Sequence, residues 1–93
     1  MTVLKKQEDN MCCLSLCGRL DTVTAPELEK KLKDTESFEK IVLDFKELEY
    51  VSSAGLRVIL SLQKRMDKSG GKLVILNVNS MIMELFEMTG LIE

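Results

Sequence analysis

The chain has 93 residues, a net charge of −2, three cysteines and no histidine. That length holds one domain, residues 1–93, with a core that needs neither disulfides nor a structural metal, and its lysines and glutamates are interspersed with no basic stripe to bind nucleic acid. The opening MTVLKKQEDN is charged where a secretory signal is apolar, and the longest apolar runs fall far short of the roughly 20 residues of a membrane span. No direct membrane insertion is expected, and the expected location is cytoplasmic.

Residues 2–8 and 11–17 read as strands joined by a tight turn at Asp9-Asn10, a favourable turn pair. The second strand carries MCCLSLC, in which alternation sets Cys13 and Cys17 on one face and Cys12 on the other. Their odd number, the missing CxxC spacing and the absence of histidine argue against a zinc site, so small buried thiols are expected. In GRLDTVTAPELEKKLKD, Thr24 followed by Glu27 fits a capping box, and Pro26 is tolerated in a first turn. A helix is predicted over about 25–35, with Leu28 and Leu32 on its apolar face.

KIVLDF, 40–45, is a short buried strand, followed by KELEY as a link. From Leu56 the pattern turns helical: Leu56, Ile59, Leu60 and Gln63 form one stripe, and Val58, Leu62 and Met66 a second. This helix is expected to stop at KSGG, with Gly70 in the left-handed cap. KLVILNV, 72–78, is the next strand. Ser80 is then expected to cap a short helix with Ile82, Leu85 and Phe86 inward, ending at Thr89-Gly90-Leu91; Met81, Met83 and Met88 read as core and edge filler. The order β-β-α-β-α-β-α makes an α/β fold in which two strand–helix–strand units require parallel neighbours and the hairpin adds an antiparallel pair: a mixed β-sheet with helices packed against it.

The strand-to-helix corner YVSSAGLR, 50–57, holds the chemistry worth weighing. Ser53-Ala54-Gly55 matches the second half of a nucleophile elbow, but Val51 stands where the first glycine belongs and no histidine exists to act as base. Serine hydrolysis is therefore disfavoured. SGGKL lacks the earlier glycine of a phosphate-binding loop, has Leu73 in place of the magnesium-holding hydroxyl, and precedes a strand. Asp21, Asp44, Glu47 and Glu49 make no recognisable metal constellation, so no catalytic residue, cofactor or metal is expected.

Two readings remain for the corner serines. In the first, Ser53, or Ser52 in its place, is only an N-cap, which stabilises a helix by about 1 kcal/mol. In the second, the hydroxyl at the helix start accepts a phosphoryl group. That adds a charge of about −1.5 to −2, which unpaired N–H groups and the positive dipole end favour, with Gly55 allowing close backbone approach. A partner shaped for the neutral patch would then be repelled, and a loss of about 3 kcal/mol is more than a hundredfold in affinity.

IVLDFKELEYVSSAGLRVIL closely resembles the core signature of the STAS domain, specifically the bacterial anti-sigma factor antagonists: a strand ending in Asp, a short link, then (Asp/Ser)-Ser-(Ser/Ala/Thr)-Gly-Leu opening a helix. GRLDTVTAPEL resembles the family's Gly-x-Leu-Asp turn, and GGKLVILNVNSMIMELFEMTGL its C-terminal half. The resemblance covers about residues 12–92. It implies a partner-switching module that, unphosphorylated, binds an anti-sigma factor serine kinase and frees a sigma factor, with a PP2C-type phosphatase resetting it. The family's phosphoacceptor register falls on Ser53, with Ser52 as second choice. Asp21, Thr22 and Thr24, with Ser52, Ser53, Ala54, Gly55, Leu56 and Arg57, are the implied partner surface. Where the family often has aspartate before the acceptor, this chain has Ser52, which removes a carboxylate and offers a competing hydroxyl. Many relatives continue with another strand and helix. STAS domains also serve as accessory subunits of membrane transporters, which is the alternative function.

Overall fold

The hairpin turn forms where the sequence places it, with Asp9 in the left-handed region at φ 50°, a conformation that the short polar Asp and Asn side chains tolerate. It joins β1 (Thr2–Glu8) to β2 (Met11–Leu20), and α1 (Ala25–Lys33), β3 (Lys40–Val51), α2 (Ser53–Ser69), β4 (Lys72–Leu76) and α3 (Ser80–Thr89) follow. The computed structural model describes residues 1–89, and of Thr89 the backbone alone, so the Gly90-Leu91 part of the predicted helix stop lies outside the described residues.

Among the described residues the sheet has four strands, in the order β1-β2-β3-β4. β1 and β2 are antiparallel, while β2–β3 and β3–β4 are parallel. This is the expected mixed sheet, and extending it in one direction by right-handed crossovers leaves α1 and α2 on the same side. On that side Leu14, Leu16 and Leu20 of β2 and Ile41, Leu43 and Phe45 of β3 meet Leu28 and Leu32 of α1, Ile59 and Leu62 of α2 and Ile82 and Phe86 of α3 in one buried cluster. The Phe45 and Phe86 rings lie 6.1 Å apart at 52°, within the range of favourable aromatic pairs.

Several boundaries differ from the sequence reading. β3 does not stop at Phe45: it runs to Val51 because Leu48 and Val51 are buried and pair with Gly18 and Leu20 of a correspondingly longer β2. Register shifts between Ser15 and Cys17 and between Gly18 and Arg19 break the alternation, so KELEY looks like a link in sequence. β4 ends at Leu76, two residues early, because Asn77 turns left-handed at φ 59°. Its side-chain amide donates to Asp44 Oδ1 at 2.9 Å. The caps also move. Thr24 holds the N-cap position of α1 but makes no side-chain cap bond, and α3 is capped by Asn79, whose Oδ1 accepts from Ile82 N–H at 2.9 Å, with Ser80 already helical. Gly70 ends α2 at φ 76°, with its N–H donating to the Asp67 carbonyl.

Only Cys12 is a buried thiol; Cys13 is half-buried and Cys17 exposed. Cys13 and Cys17 share the sheet's other face, away from the core cluster that holds Cys12, as the alternation requires. Met81 and Met88 are likewise exposed rather than filler.

α2 approaches β2 closely at its start. A Cβ on Gly55 would sit 2.7 Å from Leu20 Cγ and 2.9 Å from the Leu20 carbonyl oxygen. Helix propensity favours Gly→Ala by about 1 kcal/mol, but forcing a methyl against backbone costs about 1–3 kcal/mol. Gly55→Ala is therefore expected to lower the thermal unfolding midpoint by several degrees, and Gly55→Val by more; a midpoint unchanged in both would contradict the close approach.

The Asp44 carboxyl is held below the ordinary carboxylate range, first by the Asn77 amide and then by the Lys46 N–H. A depressed folded-state pKa contributes stability above the unfolded value, and that contribution is lost as pH falls through the folded one. The difference in melting temperature between the parent and Asp44→Ala should thus be present at neutral pH and close on acidification; a gap that widens in acid would refute the assignment.

Candidate functional site

The corner between β3 and α2 is built from the chain's own backbone. Ser52 is extended, at φ −89° and ψ 175°, and occupies the N-cap. Its Oγ accepts from Gly55 N–H at 3.4 Å, its carbonyl accepts from Leu56 N–H at 2.9 Å, and its own N–H donates to the Leu20 carbonyl at 2.8 Å. The cap expected of Ser53 therefore belongs to Ser52, one residue earlier. Ser53 is the first helical residue and exposed, and its hydroxyl takes no hydrogen-bond partner among the described residues.

The loop after β2 lies beside this corner because Leu20 is bonded to Ser52. Asp21 organises it: Oδ1 accepts from Val23 N–H at 3.0 Å and Thr24 N–H at 3.1 Å, and the Asp21 carbonyl accepts from Ala25 N–H at 2.8 Å. Thr24 is turned backward. Its hydroxyl donates to the Arg19 carbonyl and accepts from Asp21 N–H, each at 2.8 Å, which is why it is not free to close a capping box with Glu27. Hydrogen bonds from Thr24 hold the Asp21 carboxyl below its usual range, with a lesser contribution from Val23 N–H and from Arg19, whose Nε lies 3.9 Å away. Arg19 itself is spread over the Tyr50 ring at 4.5 Å, a cation–π arrangement.

The residues expected to face a partner divide in two. Thr22, Ser53 and Arg57 are exposed, and Asp21, Thr24, Ser52 and Ala54 are partly so; of these, Thr22, Ala54 and Arg57 line one groove. Gly55 and Leu56 are buried. Gly55 gives its close approach to Leu20 and not to an incoming group, and Leu56 belongs to the core; neither offers a side chain to a partner.

Between α1 and α2 runs an open groove of about 620 Å³, with Ala25, Ala54 and Val58 along it and Thr22 and Arg57 at the corner end. The sequence reading missed this feature, together with Ser61 and Arg65 farther along α2. A signal existed: Ala54, Arg57, Val58, Ser61 and Arg65 recur at helical spacing, and the small residues among them leave space between the helices. Arg65 closes the far end, donating to the Leu32 carbonyl and to Thr35 Oγ1, both at 2.9 Å. It thereby neutralises the negative end of α1 and satisfies buried Thr35.

The first turn of α2 carries no acid, so its positive end is uncompensated, with Arg57 one turn on. Chemically the corner offers an accessible hydroxyl at a point favourable to added negative charge. Among the described residues no cluster of His, Cys, Asp and Glu is arranged to hold a metal, and no helix is long and apolar enough to cross a membrane.

Comparison with known proteins agrees with this geometry. The family model of the STAS domain matches residues 2–93. The anti-sigma-B factor antagonist of Bacillus subtilis is 32% identical over 87 residues, 92% of this chain and 80% of that protein. Among solved structures, an anti-sigma factor antagonist from Mycobacterium paratuberculosis superposes with a TM-score of 0.82 at 26% identity, covering 97% of this chain and 78% of that one. The Bacillus cell fate determinant SpoIIAA in its phosphorylated form superposes with a TM-score of 0.83 at 18% identity, covering 97% and 85%. With its sheet order, its serine corner and these matches in agreement, the chain belongs to the STAS domain family.

Proposed function

We propose that this protein is an anti-sigma factor antagonist that switches partners by phosphorylation of Ser53. Unphosphorylated, it binds an anti-sigma factor that is also a serine kinase, and so releases a sigma factor. The kinase transfers the γ-phosphoryl group of ATP to Ser53 Oγ, the hydroxyl proton departs and ADP is released; a PP2C-type phosphatase hydrolyses the ester and restores the neutral form. This chain supplies the acceptor and the docking surface, and the partners supply the catalysis.

The observation that carries the reading is the exposure of Ser53 at the first helical position with its hydroxyl uncommitted. A buried oxygen is out of a kinase's reach, and a capping oxygen must first give up its hydrogen bond. Ser52 is such a capping oxygen, which favours Ser53 as the acceptor. Support also comes from relatives that bear the name anti-sigma factor antagonist and from the phosphorylated state of one structural neighbour. The docking surface is Thr22, the exposed parts of Asp21 and Thr24, Ala54 and Arg57, continuous with the α1–α2 groove. A dianion at Ser53 changes this surface without touching the core, so the switch acts on binding and leaves the fold in place.

The test combines labelling and binding. With a cognate anti-sigma kinase and ATP, the parent should take up one phosphoryl group at Ser53. Ser53→Ala should bind the kinase like the parent and take up none, and Ser53→Asp should bind more weakly, by tenfold or more if about 1.4 kcal/mol is lost. Ser52→Ala should still be labelled, while melting earlier through loss of a cap worth about 0.5–2 kcal/mol; the long 3.4 Å bond places the cost at the low end. Labelling that survives Ser53→Ala and vanishes in Ser52→Ala would reverse the assignment.

A further inference from the structure

One face of the sheet takes no part in the site and lies outside the main core cluster, with Val42 buried at its centre. Strand pairing resolves it into three rows across β1, β2, β3 and β4: Glu8, Met11, Lys40, Lys72; then Lys6, Cys13, Val42, Val74; then Leu4, Ser15, Asp44, Leu76. None of these residues joins the core cluster. Leu4 on one edge strand is 66% exposed and Leu76 on the other 45%. The middle is apolar, as on the inner faces of packed sheets, yet among the described residues no helix lies over it.

We propose that this face packs against the same face of a second copy, about a two-fold axis parallel to the strands and midway between β2 and β3. The pattern of the rows selects that occupant and that axis. A symmetric interface must be complementary to itself. The axis exchanges β1 with β4 and β2 with β3, so each row faces itself reversed. Glu8 of one copy then meets Lys72 of the other, Leu4 meets Leu76, Cys13 meets Val42 and Ser15 meets Asp44. Lys6 lies over Val74, its stem on the apolar surface and its ammonium free to reach solvent past the edge. Opposite charges and the two exposed leucines are matched twice in each dimer. A two-fold axis across the strands at the middle row would match Lys40 with Asp44, but it sets Lys6 on Lys6, Glu8 on Leu4 and Lys72 on Leu76, leaving more charge unmatched than the axis along the strands.

Four strands about 4.8 Å apart make a narrow face, short of the roughly 800 Å² per partner of a stable standard interface. The dimer is accordingly weak and reversible. It leaves Ser53 and the α1–α2 groove of both copies uncovered, because these lie on the helical side.

Sedimentation velocity of the full chain under reducing conditions, from micromolar to near-millimolar concentration, tests this independently of any phosphotransfer. The expected result is a concentration-dependent monomer–dimer equilibrium. Glu8→Lys alone or Lys72→Glu alone should weaken it on the order of tenfold, since each puts like charges at two symmetry-related places, and the double reversal should restore it. Both positions are exposed, so circular dichroism melts of the variants should match the parent. A chain that stays monomeric throughout, leaving the face to a different protein, overturns the proposal, and so does a double variant as weak as the singles.

Discussion

The hydrogen bond from Ser52 N–H to the Leu20 carbonyl, 2.8 Å long, is the constraint from which the functional end of the molecule follows. It joins the last residue of β2 to the residue where β3 becomes α2. Because Leu20 is also the residue against which Gly55 is pressed, strand end, corner and helix start form one rigid unit. Everything after Leu20 inherits its position: the Asp21–Thr24 turn has to lie beside Ser53 because its first residue is covalently tied to a residue bonded to Ser52. A bulkier residue at Gly55 would push α2 away from β2 and separate the two halves of this surface, which accounts for a glycine at a helical position where propensity alone argues against one.

Adjacent serines with identical chemistry acquire different tasks from a single step along the chain. Ser52 keeps extended dihedral angles and turns its oxygen onto Gly55 N–H; Ser53 has entered the helix, so its hydroxyl points out. The first does structural work that phosphorylation would cost. The second can carry a phosphate at no such cost, next to helix-terminal N–H groups that prefer an anion. Family relatives often place aspartate before the acceptor, and serine fills the same capping role here: both side chains are good N-caps, so the departure keeps the geometry while removing a fixed negative charge from the corner.

Element types and their order were legible from the chain because each rests on local signals: alternation in β1 and β2, β-branched runs in β3 and β4, apolar stripes in α2, and glycine at the end of α2. What was not legible depends on long-range pairing. KELEY is charged and looks like a link, and only its pairing to the far end of β2, through two irregularities of register, makes it strand. The helix starts were misplaced for a common reason. Asn79-Ser80 and Ser52-Ser53 each present two good capping residues in a row, and in both cases the first takes the cap and the second opens the helix; propensity ranks residue types and cannot choose between neighbours. At Thr24 the hydroxyl was already engaged, donating to the Arg19 carbonyl and accepting from Asp21 N–H, so Glu27 N–H turns to the Thr24 carbonyl instead. The groove escaped notice because it belongs to two helices, and the burial of Gly55 and Leu56 because a family signature marks positions without saying which way they point.

The parallel pairing of β2 with β3 explains why the proposed acceptor sits at this end. Parallel neighbours finish at the same edge of the sheet, so both crossover helices begin there, the arrangement that puts sites at the carboxyl ends of strands in open α/β sheets. Two positive helix ends are thereby brought to one surface, but they are not equivalent. The start of α1 is already served by a permanent anion, since Asp21 holds the N–H groups of Val23 and Thr24 and its own pKa is lowered by doing so. The start of α2 has only the neutral oxygen of Ser52 and no acid in its first turn. Of the two helix ends, α2 alone retains unsatisfied affinity for negative charge, and its first residue is the exposed Ser53. A phosphoryl group there would meet a favourable local field while presenting a new dianion to the proposed partner surface across α1 and α2, so the charge that the fold tolerates is one that such an interface would not.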